Sequence, residues 1–347
     1  MTPAGRRMVA VASAVAAAAL WACAGGSSGD DTSTTAREFF RGRTMTYIVS
    51  TAPGGGYDTY GRLVSRYLPK HLGVRTVVVR NVPGGGHIKG ANAILAARPD
   101  GLTVGTFNTG LIYAQLLGRE GLAGDLRHAS WIGKAGIESR VLTVSSRSGF
   151  RSLEDVRRAK RPLLMATNGM GNQSYYDALL LAHVLGLRVK FVFGLASREA
   201  QLSMMRGEVD GEVGSDSISR PFVANGFGHA LLRVGDSGEV DARIPDAMDL
   251  VTSAQGRQVV EFMALLNKLQ RWTAGPPGIR EDRLAALREA YTSALGDPGL
   301  LAEARKLDIP IAPMDGATLA NEIHRLLDAA PDLVALIASV AGSGHAP

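Results

Sequence analysis

Two short stretches carry most of the chemistry this chain can offer. Pro53-Gly54-Gly55-Gly56-Tyr57-Asp58 follows an apolar run at 45–51, and Asn81-Val82-Pro83-Gly84-Gly85-Gly86-His87 follows another at 76–80. Helical apolar spacing comes next in both cases, through Leu63, Tyr67 and Leu68 and through Ala91, Ile94 and Leu95. A strand, a glycine turn and a helix start make a seat for an anion. Glycine lets the backbone approach a ligand closely, and the first helical turn has N–H groups with no partner inside the helix. One Pro-Gly-Gly-Gly reads as a tight turn. Its repetition at two successive strand ends predicts two loops lining one crevice. Asp58 or Thr59 is expected to cap the first helix.

Rival chemistries lack their residues. Neither loop carries the Gly-Lys-Ser/Thr of a phosphate loop, and Thr59 and Lys89 stand where a dinucleotide fingerprint needs its third glycine. The seven histidines are scattered without His-Glu-x-x-His, and a single cysteine allows neither a disulfide nor a cysteine zinc site. Gly-x-Ser-x-Gly is absent. The expectation is a binding protein, not an enzyme, with no catalytic residue, metal or cofactor.

The elements that would position the loops alternate strand and helix, the pattern of an α/β fold. Further strands are expected at 102–107, 163–167, 189–193, 209–214 and 231–234. Three of these end in small polar groups: Asn108-Thr109-Gly110, Asn168-Gly169-Met170-Gly171-Asn172-Gln173-Ser174, and Ser215-Asp216-Ser217. Residues 131–144 look extended enough to carry the chain between two domains. From Ala254 onward the pattern is mainly helical, with Trp272-Thr273-Ala274-Gly275-Pro276-Pro277 as a break.

Residues 1–22, with Arg6 and Arg7 before an uncharged run rich in Ala and Val, read as a secretory signal too short for a comfortable membrane span. Cys23 follows Leu20-Trp21-Ala22, which resembles the lipobox of bacterial lipoproteins, so lipidation of Cys23 is expected. Residues 23–42 then form a flexible tether. Without the two signal arginines the formal charge falls from +6 to +4, 36 basic against 32 acidic residues. The basic residues are dispersed, which argues against a nucleic-acid partner.

The motifs resemble those of the substrate-binding proteins of tripartite tricarboxylate transporters, the TctC or Bug proteins. The pattern of that family runs Pro-Gly-Gly-Gly-Thr-Asp, then Asn-Arg-Pro-Gly-Ala-Gly-Gly-x-Ile-Gly, then Pro-Asp-Gly-Tyr-Thr. Here Pro53 to Asp58, Asn81-Val82-Pro83-Gly84-Gly85-Gly86-His87-Ile88-Lys89-Gly90 and Pro99-Asp100-Gly101-Leu102-Thr103 stand in the same order and spacing. Echoes in Gly207-Glu208-Val209-Asp210 and Gly275-Pro276-Pro277 extend the resemblance over 45–327. Tyr57, His87 and Lys89 depart from the pattern.

The resemblance implies a two-lobed, type II periplasmic-binding (Venus-flytrap) fold with a central, mostly parallel sheet in each lobe. Residues 43–140 and 237–347 would form the first lobe and 141–236 the second. It implies a small carboxylate ligand: a di- or tricarboxylate, an aromatic acid or an acidic amino acid. Gly54, Gly55, Gly56, Tyr57, Asp58, Gly84, Gly85, Gly86 and His87 would hold it in the first lobe. Asn168, Met170, Gly171, Asn172, Gln173, Ser174 and Asp216 would hold it in the second, and Asn108 and Thr109 join them from the third strand end. Tyr57 either stacks on the ligand or covers its loop, and His87 either adds positive charge or faces solvent. Asp216 is read first as a helix cap and second as a partner for an ammonium group. Arg140 is read first as a surface residue and second as a partner for another carboxylate. Met204 and Met205 are assigned to a core. The function implied is that of a monomeric, extracytoplasmic lipoprotein delivering its ligand to membrane transporter subunits. The alternatives are a sensor presenting its ligand to a signalling receptor and a secreted hydrolase of small carboxylated substrates.

Overall fold

The computed structural model describes residues 36–342, apart from 196, 197, 237 and 239. The signal segment and Cys23 lie outside the described residues. Ala36–Phe40 is already helical and Phe40 is fully buried, so the folded chain begins inside the stretch read as tether.

Among the described residues the strands form two sheets. The first contains β1 (Thr44–Val49), β2 (Thr76–Asn81), β3 (Thr103–Phe107) and β4 (Ser130–Gly136). The chain then builds the second sheet from β5 (Arg140–Ser145), β6 (Leu163–Thr167), β7 (Val189–Phe193), β8 (Gly211–Ser215) and β9 (Gly228–Val234). It returns to the first sheet with β10 (Gln270–Gly275) and β11 (Met314–Asp315). The spatial orders are β11-β4-β10-β3-β1-β2 and β7-β6-β8-β5-β9.

Both sheets are mixed, where mostly parallel sheets were expected. β1 runs parallel to β2 and β3, and β6 parallel to β7 and β8. β10, however, is antiparallel to β3 and β4, β11 is antiparallel to β4, and β5 is antiparallel to β8 and β9. The crossing between sheets explains much of this. β4 runs into the crossing and β10 runs out of it, so the two lie side by side in opposite directions. β5 and β9 do the same on the other side.

β10 corrects a second expectation, since 272–277 read as a break between helices. The strand is buried along its whole length in the middle of its sheet. A strand covered on both faces shows no alternation of apolar and polar residues. Its Gln270, Arg271 and Thr273 are polar and paired with neighbours, which hid it further.

Helix Gly56–Leu72 lies on the first sheet through Tyr60, Leu63, Val64 and Leu68, all buried. Gly61 permits this approach: a Cβ there would lie 2.8 Å from Val49 Cγ2. Helix Gln173–Leu185 is buried on nearly every side, and Tyr176 stacks on Tyr113 with ring centroids 4.6 Å apart. One apolar cluster thus joins Ile48, Phe107, Trp131 and Trp272 to Leu142, Val144 and Leu163 of the second sheet. Met204 is fully buried and Met205 packs beside it in a smaller core. No helix of the described residues is long and apolar enough to cross a membrane.

Trp272 is fully buried with its ring edge-on to Trp131 at 5.6 Å. Trp272→Ala is expected to cost about 3–5 kcal/mol, read as a lower urea midpoint with the slope unchanged. A loss under about 1 kcal/mol would mean that β10 is not a core strand.

Candidate functional site

Most strand ends that sequence reading singled out converge on one cavity of about 180 Å³. Gly54, Gly55, Gly56 and Tyr57 line it after β1, His87 after β2 and Asn108 after β3. Asn168, Asn172, Gln173 and Ser174 line it from the second sheet. Helix Gly56–Leu72 begins here with Gly55 at its N-cap and no side chain capping it. Its first N–H groups are therefore left for another acceptor, at the positive end of the helix dipole.

Asp58 does not cap that helix and does not line the cavity. Its Oδ2 accepts from the Gly54 N–H at 2.9 Å and from Arg62, and its Oδ1 accepts from Asn81 Nδ2 at 2.8 Å. Burial opposes its charge, but these bonds prevail and hold the carboxyl below its usual range. Asn81 also donates to Thr51 O, so the pair braces one glycine loop against the other.

The second glycine loop makes a seam rather than a wall. Gly84, Gly85 and Gly86 all take positive φ and stay outside the cavity lining. Gly86 lies so close to the second sheet's loop that a Cβ would sit 2.8 Å from Met170 O and 3.1 Å from Asn172 N. His87 is buried here instead of facing solvent. Its Nδ1–H donates to Ser50 O at 2.9 Å, and Nε2 accepts from Asn172 Nδ2 at 2.6 Å. Protonating Nε2 would set one N–H against another, and burial lowers the pKa despite the Ser50 carbonyl. His87 is thus a neutral bridge and brings no positive charge to the cavity.

Positive charge comes from two arginines at the crossing. Arg271 is the second residue of β10's buried run, with an unusual φ of 64°. Its guanidinium lies 4.5 Å from the centroid of the Tyr57 ring and 5.0 Å from that of Tyr60, and its Nη2 donates to Glu138 Oε2 at 3.0 Å. Arg271 and Glu138 are only 3% and 2% exposed. Gly56 makes room for the guanidinium, since a Cβ there would meet Nη2 at 2.7 Å. The Tyr57 hydroxyl donates to Gln270 Oε1 at 3.0 Å, and Gln270 Nε2 donates to Gln173 Oε1 at 2.9 Å. Tyr57 therefore fixes the crossing rather than merely covering a loop.

Arg140 is buried, contrary to its surface reading. Nε pairs with Asp177 at 3.0 Å, Nη1 donates to Ser215 at 3.3 Å, and Nη2 donates to Ser174 at 2.8 Å and to Val213 O at 2.6 Å. Burial lifts the Asp177 carboxyl above its usual range even beside this partner.

No family model matches the sequence. A UPF0065 protein from the tcbD–tcbE intergenic region of Pseudomonas sp. (strain P51) is 29% identical over 186 residues, 52% of this chain and 55% of its own length. The chain thus spans about half the length of the curated relative it matches. Its structure is similar to that of the periplasmic binding protein BugD, with TM-score 0.67 at 17% identity over 86% of this chain and 97% of the other. This chain has the fold of the Bug periplasmic binding proteins. MatC of Rhodopseudomonas palustris with bound malate matches at TM-score 0.67 and 22% identity, over 86% of this chain and 99% of that one. A second R. palustris protein, with adipate, matches at 0.67 and 17%, over 86% and 97%.

Within this Bug fold, several residues named from sequence fall away from the cavity. Thr109 is buried in the seam and donates to Gln173 Oε1. Met170 is 56% exposed, and Gly171 abuts Arg119. Asp216 is neither a cap nor part of the lining. Ser215 occupies the N-cap of helix Asp216–Ala224, and Asp216 pairs with Arg220 at 2.6 Å. Among the described residues no three potential ligands cluster for a metal. Sequence reading missed Gln270, Arg271, Glu138 and Glu212. A polar pair inside an otherwise apolar run, Gln270-Arg271, was the one signal present.

Glu212 lines the cavity from β8 and is 7% exposed. Burial lifts its carboxyl from the ordinary 4.5 to about 7, against the opposing charge of Arg140. The folded state thus holds this proton more tightly than the unfolded chain. Stability fully present below about pH 4.5 is lost as pH rises through about 7. Ligand-free Glu212→Gln is expected to exceed the parent by about 2–3 kcal/mol at pH 8, the gain vanishing near pH 4. An advantage that does not change with pH would rule this out.

Glu138→Ala strips the buried Arg271 of its partner and is expected to cost about 3–5 kcal/mol in denaturant unfolding. Removing Asp241 from its exposed pair with Arg243 should leave the denaturant midpoint nearly unchanged. Equal costs would show that the crossing does not depend on its ion pair.

Proposed function

We propose that this chain is a member of the TctC/Bug family and serves as an extracytoplasmic solute-binding protein that captures a small carboxylate. In this reading 43–140 with 237–347, and 141–236, are the two lobes, and the ligand lies between them. The protein acts as a monomer, held by a lipid on Cys23, and delivers its ligand to the membrane subunits of a tripartite tricarboxylate transporter.

One observation carries the reading: the uncapped start of helix Gly56–Leu72 opens on a cavity whose walls come from both sheets. Carboxylates bind strongly to such N–H groups when water is largely excluded. Gly54 to Tyr57 and Asn108 supply the first side, and Asn168, Asn172 and Ser174 supply the second. Malate and adipate, the acids held by the two R. palustris proteins, belong to this chemical class. Both nitrogens of His87 are engaged, which suits binding better than hydrolysis.

The test is thermal unfolding of the chain freed of residues 1–23 against di- and tricarboxylates, aromatic acids and amino acids. A true ligand at a hundred times its Kd stabilises the fold by about 2.7 kcal/mol, visible as a higher Tm. Gly56→Leu, whose side chain would invade the Arg271 position, should abolish the shift. If no acid raises Tm, the carboxylate reading fails.

A further inference from the structure

The cavity also contains a carboxyl group that the chain leaves without a partner. Among the described residues no hydrogen bond or ion pair reaches the Glu212 carboxylate, although it is nine-tenths buried. Gly214 leaves room for it: a Cβ there would lie 3.3 Å from Glu212 Cδ and 3.2 Å from Ser219 Oγ. Thr143 is the register partner of Glu212 on β5. The hydroxyls of Thr143 and Ser219 are themselves buried and unpartnered. Polar groups so placed are costly unless something pairs with them.

Three neighbouring cations are already committed. Arg140, on β5, is bonded to Asp177, Ser174, Ser215 and Val213 O. Arg271, on β10, is held by Glu138, and on helix Asp216–Ala224 Arg220 is held by Asp216. From helix Arg198–Arg206, Arg198 and Glu199 bring adjacent opposite charges to the exposed rim of the cavity. One wall of the cavity is thus an anion seat, and another presents a buried carboxyl group.

We propose that the cavity takes a zwitterion: an amino acid whose carboxylate sits at the helix start of Gly54 to Tyr57 and whose ammonium group ends on Glu212. This rests on the carboxylate reading above and narrows it. Glu212 is then the residue that determines specificity. A dicarboxylate of the same length would set its second carboxylate against Glu212 and bind only by taking up a proton or suffering repulsion.

Isothermal titration at pH 8 tests the idea, using the chain freed of residues 1–23. The ligands are α- and ω-amino acids, with dicarboxylates and monocarboxylates of matched length. An amino acid is expected to bind at least about tenfold more tightly than its matched acids. Glu212→Gln should lose about tenfold or more of that affinity while dicarboxylate binding persists, which shows that the variant is folded. Three results would overturn the proposal and leave the carboxylate reading standing. These are dicarboxylates outcompeting amino acids, dicarboxylates binding at undiminished affinity with no proton uptake in buffers of different ionisation enthalpy, and an unchanged preference in Glu212→Gln. Binding of no acid at all would remove both.

Discussion

The guanidinium of Arg271 sets the geometry on which the site depends. It stands where the chain returns to the first sheet, and Glu138 stands where the chain leaves it, so their ion pair ties the two passages of the crossing together. Burying such a pair is costly, and it is stable only when other bonds complete it. Here the Tyr57 and Tyr60 rings cover the guanidinium, Ser215 accepts from it, and the second oxygen of Glu138 accepts the Ser217 N–H at 3.0 Å. The same contacts hold the first glycine loop and the start of helix Asp216–Ala224. The strand ends of both sheets are thereby fixed relative to one another.

The first glycine loop and the loops it meets divide their labour. The first loop leaves its backbone N–H groups to the cavity. The second uses its lack of side chains to let Gly86 approach the backbone at Met170 and Asn172. His87 and Asn172 then bridge the seam with a bond between neutral groups, which requires no counter-ion. Side chains of β8 and its surroundings line another wall of the cavity. The backbone seat of the cavity and its side-chain wall are thus supplied by different elements.

Much of this was legible in the residues. Strand–glycine–helix punctuation located the first loop, and the repeated motif brought His87 to the same cavity. The α/β class followed from alternation alone. The pairing directions did not, because they depend on the crossing and not on any local pattern. β10 was hidden for a related reason: with both faces buried it has no periodicity to read. Arg140, Arg271 and Glu212 were illegible as a group, since their environment is assembled from strands far apart in sequence. Asp58 and Asp216 were misjudged in the opposite way. Each is close to a helix start, yet finds a partner four residues on, at Arg62 and Arg220, so proximity to a cap site did not make either a cap.

Arg271 holds its place at a positive φ that suits glycine and strains other residues, at roughly 1–3 kcal/mol. Any uncharged substitute with a side chain inherits that strain but loses the ion pair that offsets it, and lysine keeps the charge without the planar fork that reaches both Glu138 and Ser215. Glycine alone would relax the backbone, yet it would leave Glu138 without a cation. These single steps away from arginine therefore cost stability by one route or another.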